Sequence, residues 1–222
     1  VLGSEDSGTA DHPITYTAYP GESPVLSGGI KLTEWSPYKG EIMQCRLPEA
    51  TRGRWSFRQL FFNGRRQVRA RWPRRDPEDP LYGGWAFIEA TVPEAGESPT
   101  TFRYESDVSP RSWARPQLAE VNIFPWKCWL NDIIPIKGVD TDARTISLAR
   151  EAHHSKHKLT PGNRFIVENV LEELDEPGEW CLDPETQTVY FWPPTGSIES
   201  ADVIVPLTDR LIELRGSTDR PI

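Results

Sequence analysis

The sequence lacks long apolar runs, helical periodicity and paired cysteines, and each absence excludes a class of protein. No stretch of 18 apolar residues occurs among its 222 residues, so no membrane span is expected. The three cysteines, Cys45, Cys128 and Cys181, show no CxxC spacing. This excludes a disulfide-stapled or zinc-ribbon module and leaves one disulfide at most. Repeating apolar positions at helical spacing are scarce, and 21 prolines disfavour long helices.

Aromatic residues and short apolar stretches are what the sequence does contain. Nine tryptophans supply enough apolar surface for a folded core and argue against disorder. Short strands separated by turns are typical of an all-β protein, either a sandwich or a β-solenoid, and periodicity does not choose between the two. The predicted strands lie within residues 13–30 (two short strands), 55–72, 85–104, 118–131, 145–150, 179–194, 201–207 and 211–216.

Two hairpins and one short turn are specific local predictions. Asn63-Gly64 between apolar runs is the strongest short hairpin signal, and a second hairpin is predicted around residues 184–186. Residues 168–174 are expected to form a short helix or a 3₁₀ turn that Pro177-Gly178 stops. Residues 73–84, with three prolines and two glycines, are expected to form a loop.

Positive charge is concentrated in one segment, which we call the arginine strip. Residues 52–75 hold nine arginines and no acid, which leaves a net charge of −17 on the rest of a chain that carries −8 overall. Such a strip suits an anionic partner, and it equally suits an internal ion-pair system. Nucleic acid is not the expected partner, because the sequence has a pI of 5.1 and no recognition-helix pattern.

Motifs for metal, nucleotide or hydrolase chemistry are absent. His153, His154 and His157 do not form HExxH and are expected in an exposed loop. No GxSxG, P-loop or GxGxxG occurs, so no cofactor and no metal are predicted. The acidic run over residues 172–179 is interpreted as a solvated turn rather than a pair of catalytic carboxylates, because adjacency does not aim two carboxylates at one bond.

Three phrases occur in a fixed order: DSGTADHPITYTAYPGESPVLSGG, FRQLFFNGRRQVRARWP and RFIVENVLEELDEPGEWCLDPETQTVYFWPP. Together they resemble the N-terminal half of large secreted bacterial proteins with a right-handed parallel β-helix of the pectin-lyase-like kind, nearest to glycoside hydrolase family 141 and its relatives. The resemblance implies early β-helix rungs over residues 1–34. It also implies an inserted β-rich, sandwich-like domain over 35–200 and a return to rungs over 201–222.

The same resemblance implies function. The chain would be a non-catalytic portion of an extracellular polysaccharide-degrading glycoside hydrolase, secreted or periplasmic, whose active carboxylates lie outside residues 1–222. Its implied partners are a polysaccharide or oligosaccharide and the remaining β-helix rungs of a longer chain. The alternative is a stand-alone carbohydrate-binding module that binds plant or acidic polysaccharide without turnover.

Four residues are the predicted substrate-binding set: Arg69, Arg71, Trp72 and Trp85. Alternation in a strand places Arg69 and Arg71 on one face, where guanidinium groups can bind carboxylates in bidentate fashion. Trp72 and Trp85 border the proline-rich loop and are expected to be the most exposed tryptophans, suited to stacking on sugar rings. A second set of tryptophans is expected in the core: Trp126, Trp129, Trp180 and Trp192.

Overall fold

The structure is a computed structural model that describes residues 1–9, 11–48, 56–79, 81, 83–92, 100–106, 112–152 and 158–218. It is all-β, as predicted, with helical residues in the described ranges confined to four 3₁₀ turns, at Ser4–Asp6, Pro116–Leu118, Leu171–Glu173 and Ile198–Ser200. The strands are β1 Leu2–Gly3, β2 Gly29–Lys31, β3 Trp35–Lys39, β4 Ile42–Arg46, β5 Phe61–Phe62, β6 Arg65–Arg66, β7 Val68–Arg69, β8 Arg71–Trp72, β9 Ala86–Val92, β10 Thr101–Tyr104, β11 Glu120–Ile123, β12 Asp132–Asp140, β13 Thr145–Leu148, β14 Arg164–Glu168, β15 Glu179–Asp183, β16 Thr188–Phe191, β17 Val203–Pro206 and β18 Leu214–Arg215.

Six antiparallel strands close into a barrel in the order β11-β12-β13-β10-β9-β14, and β14 returns to β11. The closing pair runs from Glu120 opposite Glu168 to Ile123 opposite Phe165. Closure leaves these strands with partners on both edges, which removes the exposed edges that an open sheet presents. Strand β8 extends the sheet by pairing with the C-terminal half of β14.

Apolar side chains fill the barrel, because alternate residues of each strand point inward. Phe102, Phe165, Ile134 and Ile146 are fully buried there. The Phe102 and Phe165 rings meet edge to face, with centroids 4.9 Å apart, an arrangement that aromatic quadrupoles favour. The barrel is therefore a packed core and not a channel.

A second core lies between two further sheets, one of five strands (β3-β4-β16-β15-β7) and one of four (β2-β17-β5-β6). Trp180 and Phe191 of the first sheet pack with Phe62 and Val203 of the second in one buried cluster. These two sheets form the sandwich-like part of the chain. The four-stranded sheet takes β2 and β17 from outside residues 35–200, while the division at 34/35 and 200/201 stays a prediction.

The two ends of the chain meet in a parallel pair. Leu2 lies opposite Leu214 and Gly3 opposite Arg215. In contrast, residues 13–28 form no strand and are almost entirely exposed. The prediction of two strands within residues 13–30 is therefore wrong apart from β2. The large apolar side chains of this segment stay exposed, and alternation alone does not order a strand.

Both hairpins and the short turn are confirmed. Strands β5 and β6 pair across Asn63 and Gly64, whose φ angles of 49° and 75° are those of a type I′ turn. Strands β15 and β16 pair around residues 184–187, and a 3₁₀ turn occupies Leu171–Glu173. The sequence prediction missed β1, β3, β4, β12 and β14. In β12, Pro135 weakens the strand pattern.

One predicted strand proved to be three. The segment after Gly64 forms β6 in the four-stranded sheet, β7 in the five-stranded sheet and β8 beside the barrel. Each piece is two residues long. The arginine strip therefore runs through the junction of the two cores. None of the helices in the described ranges is long or apolar enough to cross a membrane.

Candidate functional site

Arg69 lies in the junction between the barrel and the sandwich. Only 9% of its surface is exposed, and its Nη1 donates a 2.6 Å hydrogen bond to Glu120 Oε2 of β11. Arg58 grips the same carboxylate from the other side, through Nε at 3.0 Å and Nη2 at 2.5 Å. Burial favours the neutral acid, but these two guanidinium groups outweigh it and hold the pKa of Glu120 below its ordinary value.

Arg71 bridges the two ends of the proline-rich loop, residues 73–84. Its Nε donates to Pro73 O at 2.9 Å, and its Nη2 donates to Gly84 O, so the two ends of the loop are tied together. Burial lowers the pKa of Arg71. Arg69 and Arg71 thus make contacts within the protein. They lie in separate strands, β7 and β8, and do not form one open row of guanidinium groups.

Trp72 is buried, and the expectation of an exposed ring is wrong for it. Only 4% of its surface is exposed. The indole packs edge to face on Tyr104 at 5.4 Å and on Trp113 at 5.9 Å between ring centroids. Because β8 pairs with β14, alternation points Trp72 into the barrel core, where it offers no face to a sugar.

Trp85 sits at the end of the barrel in a stack of cations and aromatic rings. The guanidinium carbons of Arg164 and Arg71 lie 4.7 Å and 5.6 Å from its ring centroid, within cation–π range. Phe124 meets the ring edge to face at 5.6 Å. Trp85 is half-buried, so this stack fixes its orientation. The substrate-binding role of these four residues stays a prediction.

The large exposed aromatic surface lies elsewhere, in the loop that joins β11 to β12. We call Trp126, Lys127 and Trp129 the indole loop. Trp129 is 74% exposed and Trp126 38%, so the expectation that both belong to the core is wrong. Trp180 is fully buried as expected, and Trp192 is partly buried. Trp180 lies opposite Phe191 in the hairpin.

One feature of the sequence does indicate that the indole loop is a connection. Trp126, Lys127 and Trp129 follow Pro125, a residue typical of turns. Apolar neighbours on both sides led to the prediction of a buried stretch instead. The structure shows that the barrel strand ends at Ile123 and that the tryptophans lie in the connection.

The acidic run makes contacts within the protein, but it is not the fully solvated turn that was expected, because Glu173 and Glu179 are buried. Asp175 and Glu176 pair with Arg74 at 2.7 Å and 2.8 Å. Glu173 Oε1 accepts a 2.8 Å hydrogen bond from the indole N–H of Trp113. Glu179 accepts the backbone N–H groups of Asp175 and Glu176. Burial outweighs these hydrogen bonds and raises the pKa of Glu179 to about 7.

The arginine strip is in part an internal ion-pair system, the second of its two interpretations. Arg58 and Arg69 bind Glu120, and Arg74 binds Asp175 and Glu176. These acids lie far from the strip in sequence, 51 residues from Arg69 and 101 from Arg74, because the strip folds against other sheets. Arg52 and Arg54 lie outside the described residues, as do His153, His154 and His157.

A cleft of about 340 Å³ separates the barrel from the five-stranded sheet. Asn169 lines this cleft, and its Nδ2 donates hydrogen bonds to Leu118 O at 2.9 Å and to Leu182 O at 2.8 Å. Arg115 Nη1 binds Asp183 Oδ2 at 2.6 Å. Although burial opposes ionisation, the Thr186 backbone N–H and the Arg115 guanidinium hold the pKa of Asp183 below its ordinary value. The Arg115–Asp183 ion pair therefore ties the segment before β11 to β15 of the five-stranded sheet.

The acids of the turn and the cleft are engaged with arginines, an indole N–H or backbone N–H groups. Among the described residues, no group of three metal-ligating side chains converges. In the part of the chain that the structure describes, Trp126 and Trp129 are the exposed tryptophans, and their indoles offer a surface to a ligand.

Comparison with known proteins gives one structural relative. The chain is similar over 100% of its length to a solved glycoside hydrolase, with a TM-score of 0.75 and 26% sequence identity. It spans 38% of that protein's chain. The sequence matches no protein-family model and no curated protein.

Proposed function

We propose that residues 1–222 are a non-catalytic portion of a secreted glycoside hydrolase that degrades extracellular polysaccharide. The observation that carries the proposal is the likeness to a glycoside hydrolase over the whole of this chain but 38% of the other. A larger protein of that kind has room for its catalytic carboxylates elsewhere. The engagement of the acids at the turn and the cleft in structural contacts is consistent with this division.

The chain ends support the finer proposal that further parallel β-helix rungs continue from them. Strands β1 and β18 form a parallel pair, and parallel strands are rarely left as an isolated two-stranded sheet. The N-terminal and C-terminal segments also carry exposed apolar residues, including Tyr16, Val25, Leu211 and Leu214. An isolated rung buries its apolar face only against a neighbour. Rungs on either side would cover these residues.

A stand-alone carbohydrate-binding module is the second candidate, because the exposed Trp126 and Trp129 are the side-chain type that stacks on pyranose rings. The two proposals differ in one observable. A portion of an enzyme gives turnover only with its downstream segments, whereas a stand-alone module binds the polysaccharide by itself and gives no turnover.

The test compares the 222-residue chain with the complete product of its natural gene. Both are incubated with polygalacturonate, xylan and galactan, and release of reducing sugar is measured. We expect no release by the chain and measurable release from at least one polymer by the complete product. Release by the chain alone would contradict the non-catalytic assignment. No release by either protein, together with polymer binding by the chain, would favour the module.

A further inference from the structure

The backbone of the indole loop has a defined conformation that hydrogen bonds hold in place. The N–H of Cys128 donates to Pro125 O at 3.1 Å, which closes a four-residue turn. Trp126 and Cys128 take φ angles of 55° and 58°, in the left-handed region that bulky side chains rarely adopt. Such outliers persist when the surroundings hold them, and they concentrate at ligand-contacting sites.

Asn163 holds Trp126 in this left-handed conformation. It is 3% exposed, and its Oδ1 accepts the Trp126 N–H at 3.0 Å while its Nδ2 donates to Trp126 O at 2.9 Å. Both sides of the strained residue are therefore pinned to the residue that precedes β14. The Cys128 thiol adds a contact to Phe124 O at 3.3 Å. The loop is thus fixed to the barrel although its indoles lie outside.

The side chains form an aromatic and cationic surface. The Trp126 and Trp129 rings meet edge to face at 5.5 Å. The Lys127 ammonium lies 4.7 Å from the Trp126 centroid and 5.6 Å from the Trp129 centroid. Lys127 forms no ion pair with any carboxylate in the described part of the chain. With 74% of Trp129 exposed, most of its side chain is open to solvent near the positive charge of Lys127.

We infer that the indole loop binds a pyranose unit of an acidic polysaccharide, with the sugar's C–H face on Trp129 and its carboxylate at Lys127. An indole face attracts the C–H face of a pyranose by dispersion, and an ammonium attracts a uronic acid carboxylate. Fixing the loop in advance lowers the entropy lost on binding. This inference rests on the proposed carbohydrate function and adds a site and a ligand class to it.

The test is calorimetric titration of the 222-residue chain with oligogalacturonates and, separately, with neutral galacto-oligosaccharides of matched length. Trp129→Ala is expected to weaken oligogalacturonate binding about 30-fold, the loss typical of a central tryptophan. Lys127→Gln is expected to weaken it by up to about five-fold and to leave the neutral ligand unaffected. Tyr19→Ala is the matched control, since Tyr19 is also 74% exposed and should leave both affinities unchanged.

Each other result overturns the inference. Equal binding by the parent and Trp129→Ala would place the sugar elsewhere on the chain, and loss of both ligands in Lys127→Gln would contradict the carboxylate contact. Absence of oligogalacturonate binding by the parent chain would remove the site. None of these results decides the proposed function, which the turnover of the complete gene product tests by itself. Circular dichroism of each variant verifies that it is folded.

Discussion

The closed barrel and the chain ends contain similar apolar residues and bury them very differently. In the barrel, Phe102 and Phe165 are fully buried because each strand of the ring has two neighbours. In residues 13–28, Tyr16, Tyr19 and Val25 are largely exposed. Strand pairing therefore decides burial here: a closed sheet supplies its own partners, whereas residues 13–28 pair with no strand in the described part of the chain.

The largest effect is expected in the barrel core. Phe102→Ala removes a fully buried ring that packs on Phe165, and we expect the free energy of unfolding to fall by about 4 kcal/mol. Urea denaturation followed by fluorescence measures it. Tyr19→Ala at a chain end is the control and should change it by less than about 0.5 kcal/mol. Similar losses in the two variants would contradict the contrast between the regions.

The second largest loss of unfolding free energy is expected at the junction between the two cores. Arg69→Met leaves the Glu120 carboxylate, which is 15% exposed, with Arg58 as its remaining cation, and should cost about 3 kcal/mol of unfolding free energy. Arg58→Met removes the half-exposed partner and should cost about 1 kcal/mol. Urea denaturation of both variants compares them. An equal loss would show that burial of the pair does not determine its strength.

Glu179 gives a smaller, pH-dependent effect near the same junction. Its pKa of about 7 in the folded chain lies above the ordinary value of 4.5, so the folded state keeps a proton that the unfolded state has released between these values. Stability should therefore fall as pH rises from 4.5 to 7. Glu179→Gln should reduce that fall by about 2 kcal/mol.

Thermal unfolding of Glu179→Gln at pH 5 and pH 8 tests this dependence. The exposed Glu78→Gln serves as a charge-matched control that leaves the profile unchanged. A parent profile that is flat between these pH values, or one that Glu179→Gln leaves unaltered, would contradict the assignment.

The smallest effect in the 222-residue chain is expected at the ends. Leu26→Ser should change the unfolding free energy by less than about 0.5 kcal/mol, because Leu26 is already exposed. In the complete gene product the same substitution should cost about 2 kcal/mol if neighbouring rungs bury this side chain. Denaturation of both proteins, with and without Leu26→Ser, measures the difference. Equal small changes would count against covering rungs.

Local features were predictable from the sequence. The Asn63-Gly64 hairpin and the 3₁₀ turn at Leu171–Glu173 depend on turn chemistry within a few residues, and both are confirmed. The all-β class followed from short strands and many prolines.

Non-local features were not predictable. Nothing in the sequence near Trp72 indicates that β8 pairs with β14 and turns its indole inward. Likewise, Glu120 is 51 residues from Arg69, so their contact depends on how three sheets meet. Trp129 resembles a core residue because its neighbours are apolar, and only the end of β11 at Ile123 places it outside.

Hydrogen exchange at the chain ends distinguishes ends that further rungs cover from ends that stay exposed. Backbone amides of residues 11–28 and 207–215 are followed by mass spectrometry in the 222-residue chain and in the complete gene product, with β14 as the internal reference. We expect rapid exchange at these ends in the chain and strong protection in the complete product, with β14 protected in both. Equally rapid exchange at the ends in both proteins would contradict the proposal that further rungs cover them.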